Sequence, residues 1–308
     1  MFLSKRVVLV VIFLILLMSV GLIPQAFAQD SSPSTAANNV ERSLFSAQAD
    51  LLDDDSASAV SDVQQAQSIY TASLQKPISV AVPKIDAAIS DSFKAALTAA
   101  QSSDANSLAA ARSQIWANML HASSVIVVQA LQKNDSATAK TWLLLREFPT
   151  PTQFSRPGAD GTLAMNSLAA GKMSATDALA AVRDDLLDTY QAKLNESLSN
   201  ADVEQKQNFT IKTVEQASLA AGYFDLLTDP VLSDAFVQAH GASGVTASQT
   251  AFASLVKAAS ANDAKSYAAL RTQIDSALQG FRAAPLSPAE QARSAGQLLR
   301  FVGLIPVE

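Results

Sequence analysis

Carboxylates are the side chains best placed to do chemistry in this sequence, and Glu147, Asp184 and Asp188 stand out by position. Asp184 and Asp188 are one helical turn apart, so on a helix they project to the same side, with Asp185 adjacent. Oxygen donors of this kind suit hard cations, and iron also accepts them. The same face can equally be solvated, with Arg183 and Lys193 nearby to pair with it. Glu147 follows the aromatic and aliphatic run WLLLR and is expected to be partly buried. It is read either as a metal ligand or as one half of an ion pair with a neighbouring arginine that pins the chain.

Other chemistries are thinly supplied. Without cysteine there is no disulfide partner and no thiolate metal site. His121 and His240 are too few for a histidine-rich site, and His121, placed near an expected helix end, reads as a structural charge on the helix dipole. The sequence has no G-x-S-x-G elbow, H-E-x-x-H, P-loop or G-x-G-x-x-G, so enzymatic activity is not expected. A net charge of -6 and the absence of a Lys/Arg stripe argue against nucleic acid as a partner.

The elements that must position these carboxylates are helices. Ala, Ser, Gln and Leu dominate, and 10 glycines and 11 prolines in 308 residues leave little material for a sandwich or barrel. Periodicity predicts a helix from about Val40 to Leu52, then one through Val63 and Ile69 capped by one of Asp53, Asp54 and Asp55. FKAALTAAQSSDANSLAAARSQI, starting at Phe93, aligns without gaps to FASLVKAASANDAKSYAALRTQI, starting at Phe252. Phe93, Asp104, Ser107, Arg112, Gln114 and Ile115 match Phe252, Asp263, Ser266, Arg271, Gln273 and Ile274 in type and spacing. Each copy reads as a helical hairpin whose second helix is capped at the Asp or a neighbour. Leu108, Ile115 and Met119 share one face of the first copy's second helix.

Between the copies lies WLLLREFPTPTQFSRPGADG, whose prolines should stop a helix arriving through Phe148. Helices are then expected over 159–170 and 174–198, the second opened by the box Ser174-Ala175-Thr176-Asp177. A loop is expected at 241–244 and a last helix after Pro285 and Pro288. The expected fold is all-α: two related helical bundles from an internal duplication, joined by a Pro-rich junction and a central helical pair. Residues 1–28 read as a signal peptide, with Lys5 and Arg6, an apolar run over 7–23 and the small-x-small site Ala26-Phe27-Ala28. The other reading is an uncleaved membrane anchor. Either places the rest outside the cytoplasm: a disordered tether over 29–39, the first repeat over 40–148, junction and central helices over 149–200, and the second repeat over 201–308.

The segment AKTWLLLREFPTPTQFSRPGADGTLAMNSLAAGKMSATDALAAVRDDLLDTYQAKL, with the closing QLLRFVGLIPVE, resembles the extracytoplasmic N-terminal region of bacterial high-affinity iron permeases. The membrane helices of that family carry Arg-Glu-x-x-Glu iron motifs. Here Arg146-Glu147-Phe148-Pro149-Thr150 begins like the motif but has Thr150 in place of the second Glu, outside any apolar span, so the permeation site is not carried over. The resemblance implies an accessory domain of iron uptake, truncated or stand-alone, with iron as transported ion and the permease's membrane domain, or another membrane protein, as partner. A non-metal interaction or sensory module is the alternative.

Overall fold

The computed structural model describes residues 32–147 and 159–284, which form eleven helices and no strand. In order these are α1 (Pro33–Leu52), α2 (Ser56–Ser73), α3 (Gln75–Ala81), α4 (Pro83–Gln101), α5 (Ala105–Gln132), α6 (Ser136–Trp142), α7 (Gly161–Ala169), α8 (Ala175–Lys206), α9 (Thr210–Leu227), α10 (Ala235–Ser260) and α11 (Ala264–Leu278). The expected all-α class holds. The signal peptide, most of the proline-rich junction and the helix expected after Pro288 lie outside the described residues.

One turn design recurs. At Asp54, Ser103, Asn134, Asn208 and Asn262 a non-glycine residue takes a positive φ of 51–60° and ends a helix. The following residue then donates its N–H back over the helix end, as Asp104 does to Ala99 O at 2.9 Å and Asp263 to Ala258 O at 2.9 Å. That residue is Asp in four of the five turns, and its carboxylate caps the next helix: Asp55 accepts from Ser58 N, Asp104 from Ser107 N, Asp135 from Thr138 N and Asp263 from Ser266 N. A single residue thus closes one helix with its backbone N–H and opens the next with its carboxylate. Asp104→Ala should lower unfolding free energy by about 1 kcal/mol, measured by urea denaturation, while Asp104→Asn should retain most of it.

The expected core faces are observed: Phe93, Leu108, Ile115 and Met119 are each at most 1% exposed. Helix α5 is central, buried nearly all round, and packs on α4 at one side and on α9 at the other. Its crossing with α9 is tight because Gly222 faces Ala117; a Cβ at 222 would lie 2.3 Å from the Ala117 Cβ. Phe224 stacks on Phe252 and meets Phe236 edge-on, with ring centroids 4.9 and 5.0 Å apart, and this cluster joins α9 to α10.

Several boundaries differ from expectation, among them the end of α8, which runs to Lys206 and not to 198. Helix α1 starts at Pro33, inside the stretch read as a tether, because Ser32 caps it, proline suits its first turn, and Ala36 and Ala37 pack into the core. The helix expected to run to Phe148 stops at Trp142, after which Leu143 and Leu145 turn inward and are buried. The loop expected at 241–244 is confined to Gly241, whose φ of 70° and ψ of 171° break the helical backbone between the two helical pieces of α10.

The two halves run in a similar order, hairpin α1–α2 then α4–α5, and hairpin α8–α9 then α10–α11. Within each half the two hairpin turns touch: Ser56 Oγ lies 2.6 Å from Ser103 Oγ, and Gln205 Nε2 donates to Asn262 Oδ1 at 3.1 Å. The matched Asp104/Asp263 and Ser107/Ser266 are equivalent caps, but Asp55/Ser58 makes the same one, so capping chemistry alone accounts for those identities. Arg112 and Arg271 diverge. The first is buried against Glu215, while the second bridges Asp202 and Asp275 at a more open position.

Candidate functional site: an acidic pocket around Glu147

Helices α1, α5, α8 and α9 and the strand of chain after α6 enclose a cavity of about 200 Å³. Glu41, Leu44 and Phe45 fall on one face of α1, three and four residues apart, and form one wall. Arg112 and Trp116 come from α5, Glu196 from α8, and Glu215 and Tyr223 from α9. Glu147 enters from the segment beyond α6. Its Oε1 accepts from Trp116 Nε1 at 2.9 Å and from the Tyr223 hydroxyl at 2.5 Å. Trp116 and Tyr223 flank Ala117 and Gly222 in sequence, so the tight α5–α9 crossing is what brings the two donors to one carboxylate.

The electrostatics follow from burial. Desolvation, then the negative charge of Glu147 and, more weakly, of Glu215, raises the Glu41 carboxyl above its ordinary range, against the pull of Arg112. The Tyr223 hydroxyl is pushed up by burial and by the Glu147 charge it bonds, so it stays protonated and remains a donor. Arg112, 5% exposed, pairs with Glu215 at 2.9 Å and lies 3.8 Å above the centre of the Phe45 ring. Burial draws its pKa down while Glu215 and Glu41 oppose that. Lys193 and Glu196, 3.0 Å apart, stand at the rim.

Of the residues singled out in the sequence, Glu147 lines this pocket, whereas Asp184 and Asp188 lie half-buried on an earlier stretch of α8 and do not. Between them Asp185 is the one that points inward. It accepts the Gly161 N–H at 3.0 Å and faces Arg146 at 3.8 Å, and burial raises its carboxyl despite that arginine. Arg146 also donates to Thr162 at 2.7 Å, so it ties the segment after α6 to the start of α7 while Glu147 bonds Trp and Tyr. His121 sits in the middle of α5, not near its end, and binds Asp229 at 2.8 Å. Among the described residues no three His, Asp or Glu side chains stand close enough to share a metal ion. Sequence reasoning missed Glu41, Trp116, Glu215 and Tyr223, whose only common signal is contact in space. Arg112 was visible as an identity between the aligned segments but carried no indication of its partner.

An all-helical domain enclosing a carboxylate-lined cavity is the class these observations define, and no described helix is long and apolar enough to cross a membrane. Residues 29–278 match the iron permease FTR1 N-terminal domain, and the chain belongs to that family. It is thereby an iron-permease-associated domain of a transporter-associated kind. No curated protein and no solved structure matches it.

Proposed function

We propose that this domain gathers iron ions outside the cytoplasm and passes them to the membrane part of a permease, with the pocket around Glu147 as the place of contact. The observation that carries this reading is that Glu147 is held by two uncharged donors while a second half-buried carboxylate, Glu41, lines the same pocket. Neutral donors fix a carboxylate without cancelling its charge, so the cavity keeps a negative potential suited to a cation. The ion enters hydrated, as weak and exchangeable cargo, consistent with carboxylates that do not converge into a three-ligand cage. Export is supported by the small-x-small site ending at Ala28, immediately before the family match begins at residue 29.

Anaerobic calorimetric titration of the full chain with ferrous ion tests this. Saturable binding is expected, about tenfold weaker in Glu147→Gln and in Glu41→Gln, since removing one charge from a partly buried site costs on the order of 1.4 kcal/mol. Affinity should also fall on acidification through the raised range of Glu41, where a proton competes with the ion. Unchanged binding in both pocket variants, with loss in Asp184→Asn and Asp188→Asn, would move the site to that earlier face of α8. No saturable binding would end the reading.

A further inference from the structure

Helices α1 to α6 carry unlike charges at their two ends. Where the α1–α2 and α4–α5 turns meet stand Asp53, Asp54, Asp55 and Asp104. The far end is made by α3, the start of α4, the end of α5 and α6. It holds Lys76, Lys84, Lys133 and Lys140, all exposed and none in an ion pair among the described residues. Two carboxylates share this end, and each already accepts a hydrogen bond: Asp135 from the Thr138 N–H and Asp86 from the Tyr70 hydroxyl. Lys76, from α3, and Lys133, from α5, line an open groove of about 420 Å³ whose apolar walls include Ala81, Ile126 and Trp142. Val80 lines it too, and at 80% it is the most exposed large apolar side chain among the described residues. A lone exposed valine needs no explanation, but one beside an apolar groove and uncompensated lysines, in a chain of net charge -6, marks a contact surface.

We propose that this end of the domain docks on the surface of a bilayer with anionic headgroups, the lysines meeting the phosphates while Val80 and the groove take up the upper acyl layer. Such a surface offers negative charge and apolar matter side by side, which is the pairing this end presents. The net charge of the chain does not oppose contact. Helix α5 runs from its Asp104 cap to Lys133 through 28 residues, about 42 Å, whereas charge is screened beyond about 8 Å at physiological salt. The aspartates are therefore not felt where the lysines touch, and because only one end is attracted, the contact also fixes which way the domain faces. A few lysines and one valine make a weak, reversible contact, in keeping with a domain in which no described helix is long and apolar enough to cross a membrane. This goes beyond the iron reading and does not depend on it.

Co-sedimentation with vesicles tests this, using the chain from residue 29, where the family match begins. That start omits the apolar run over 7–23, which would partition into lipid unaided, and keeps the whole buried core, from Ala36 to Ala284. Phosphatidylcholine vesicles containing phosphatidylglycerol should bind the protein, phosphatidylcholine alone should not, and binding should fall at least tenfold between about 0.03 and 0.3 M salt. Lys76→Gln with Lys133→Gln should weaken binding at least about tenfold, since each lysine at an anionic surface contributes about fivefold. Lys257→Gln with Lys265→Gln removes the same charge from exposed positions on α10 and α11 and should change binding by no more than about twofold. Equal loss in the two double variants, equal binding to phosphatidylcholine alone, or no binding to the anionic vesicles overturns the proposal. So does indifference to those vesicles together with Lys76- and Lys133-dependent binding of an acidic amphipathic peptide, which would give this face to a protein partner. No readout involves iron, so failure here leaves the pocket reading untouched.

Discussion

Replacing Glu215 by Ala is expected to lower unfolding free energy by about 3–5 kcal/mol, because it strands the buried Arg112 guanidinium without its nearest negative charge. Lys212 also reaches Glu215, at 3.1 Å, but it is largely exposed and adds little. The size of the loss therefore reports the uncompensated charge. Removing both partners should cost far less than removing one, and Arg112→Met with Glu215→Leu should come within about 1–2 kcal/mol of the parent. Urea denaturation of the two single variants and the double closes the cycle. If Glu215→Ala loses less than about 1 kcal/mol, then Glu41 or solvent already satisfies the guanidinium and Glu215 is not what holds it.

Gly222→Ala is expected to destabilise by about 1–3 kcal/mol, although in an isolated helix the same change would favour helix formation by roughly 1 kcal/mol. The added methyl would fall 2.3 Å from the Ala117 Cβ, and a Cβ cannot swing aside as the tip of a long side chain can. Helices α5 and α9 must then part. Because Trp116 and Tyr223 are the sequence neighbours of the two clashing residues, separation also pulls both donors off Glu147. Ferrous-ion affinity should fall together with stability in this variant. Ala117→Gly combined with Gly222→Ala should restore most of both, as read by thermal unfolding and by titration. A single variant as stable as the parent would show that the crossing has slack.

Much of the scaffold was legible from the residues. The core faces of Phe93, Leu108 and Ile115 followed from helical spacing, and Asp55, Asp104 and Ser174 cap helices as their types suggest. Boundaries failed where tertiary packing overrode local preference. The burial of Ala36 and Ala37 extends α1 through residues that look like linker, whereas Gly241 does break the helical backbone of α10, over one residue and not the four of an open loop. The pocket was only partly readable. Glu147 was marked by the apolar run before it, but its companions come from α1, α5 and α9, and nothing in spacing along the chain records that these helices meet. Asp184 and Asp188 were marked by their spacing on one helix, and they lie half-buried on α8 outside this pocket.

The shared-aspartate turns set how the domain behaves in acid. In Asp55, Asp104, Asp135 and Asp263 the bonds from the capped Ser or Thr hold each carboxyl below its ordinary range, so their support is complete above the ordinary aspartate pKa and is lost only as pH falls through the lowered values. Glu41 is displaced the other way and takes up its proton first on acidification. On acidification the cavity therefore loses the Glu41 charge before these four caps lose theirs. Charge in the pocket and fastening of these turns are thereby separated on the pH axis.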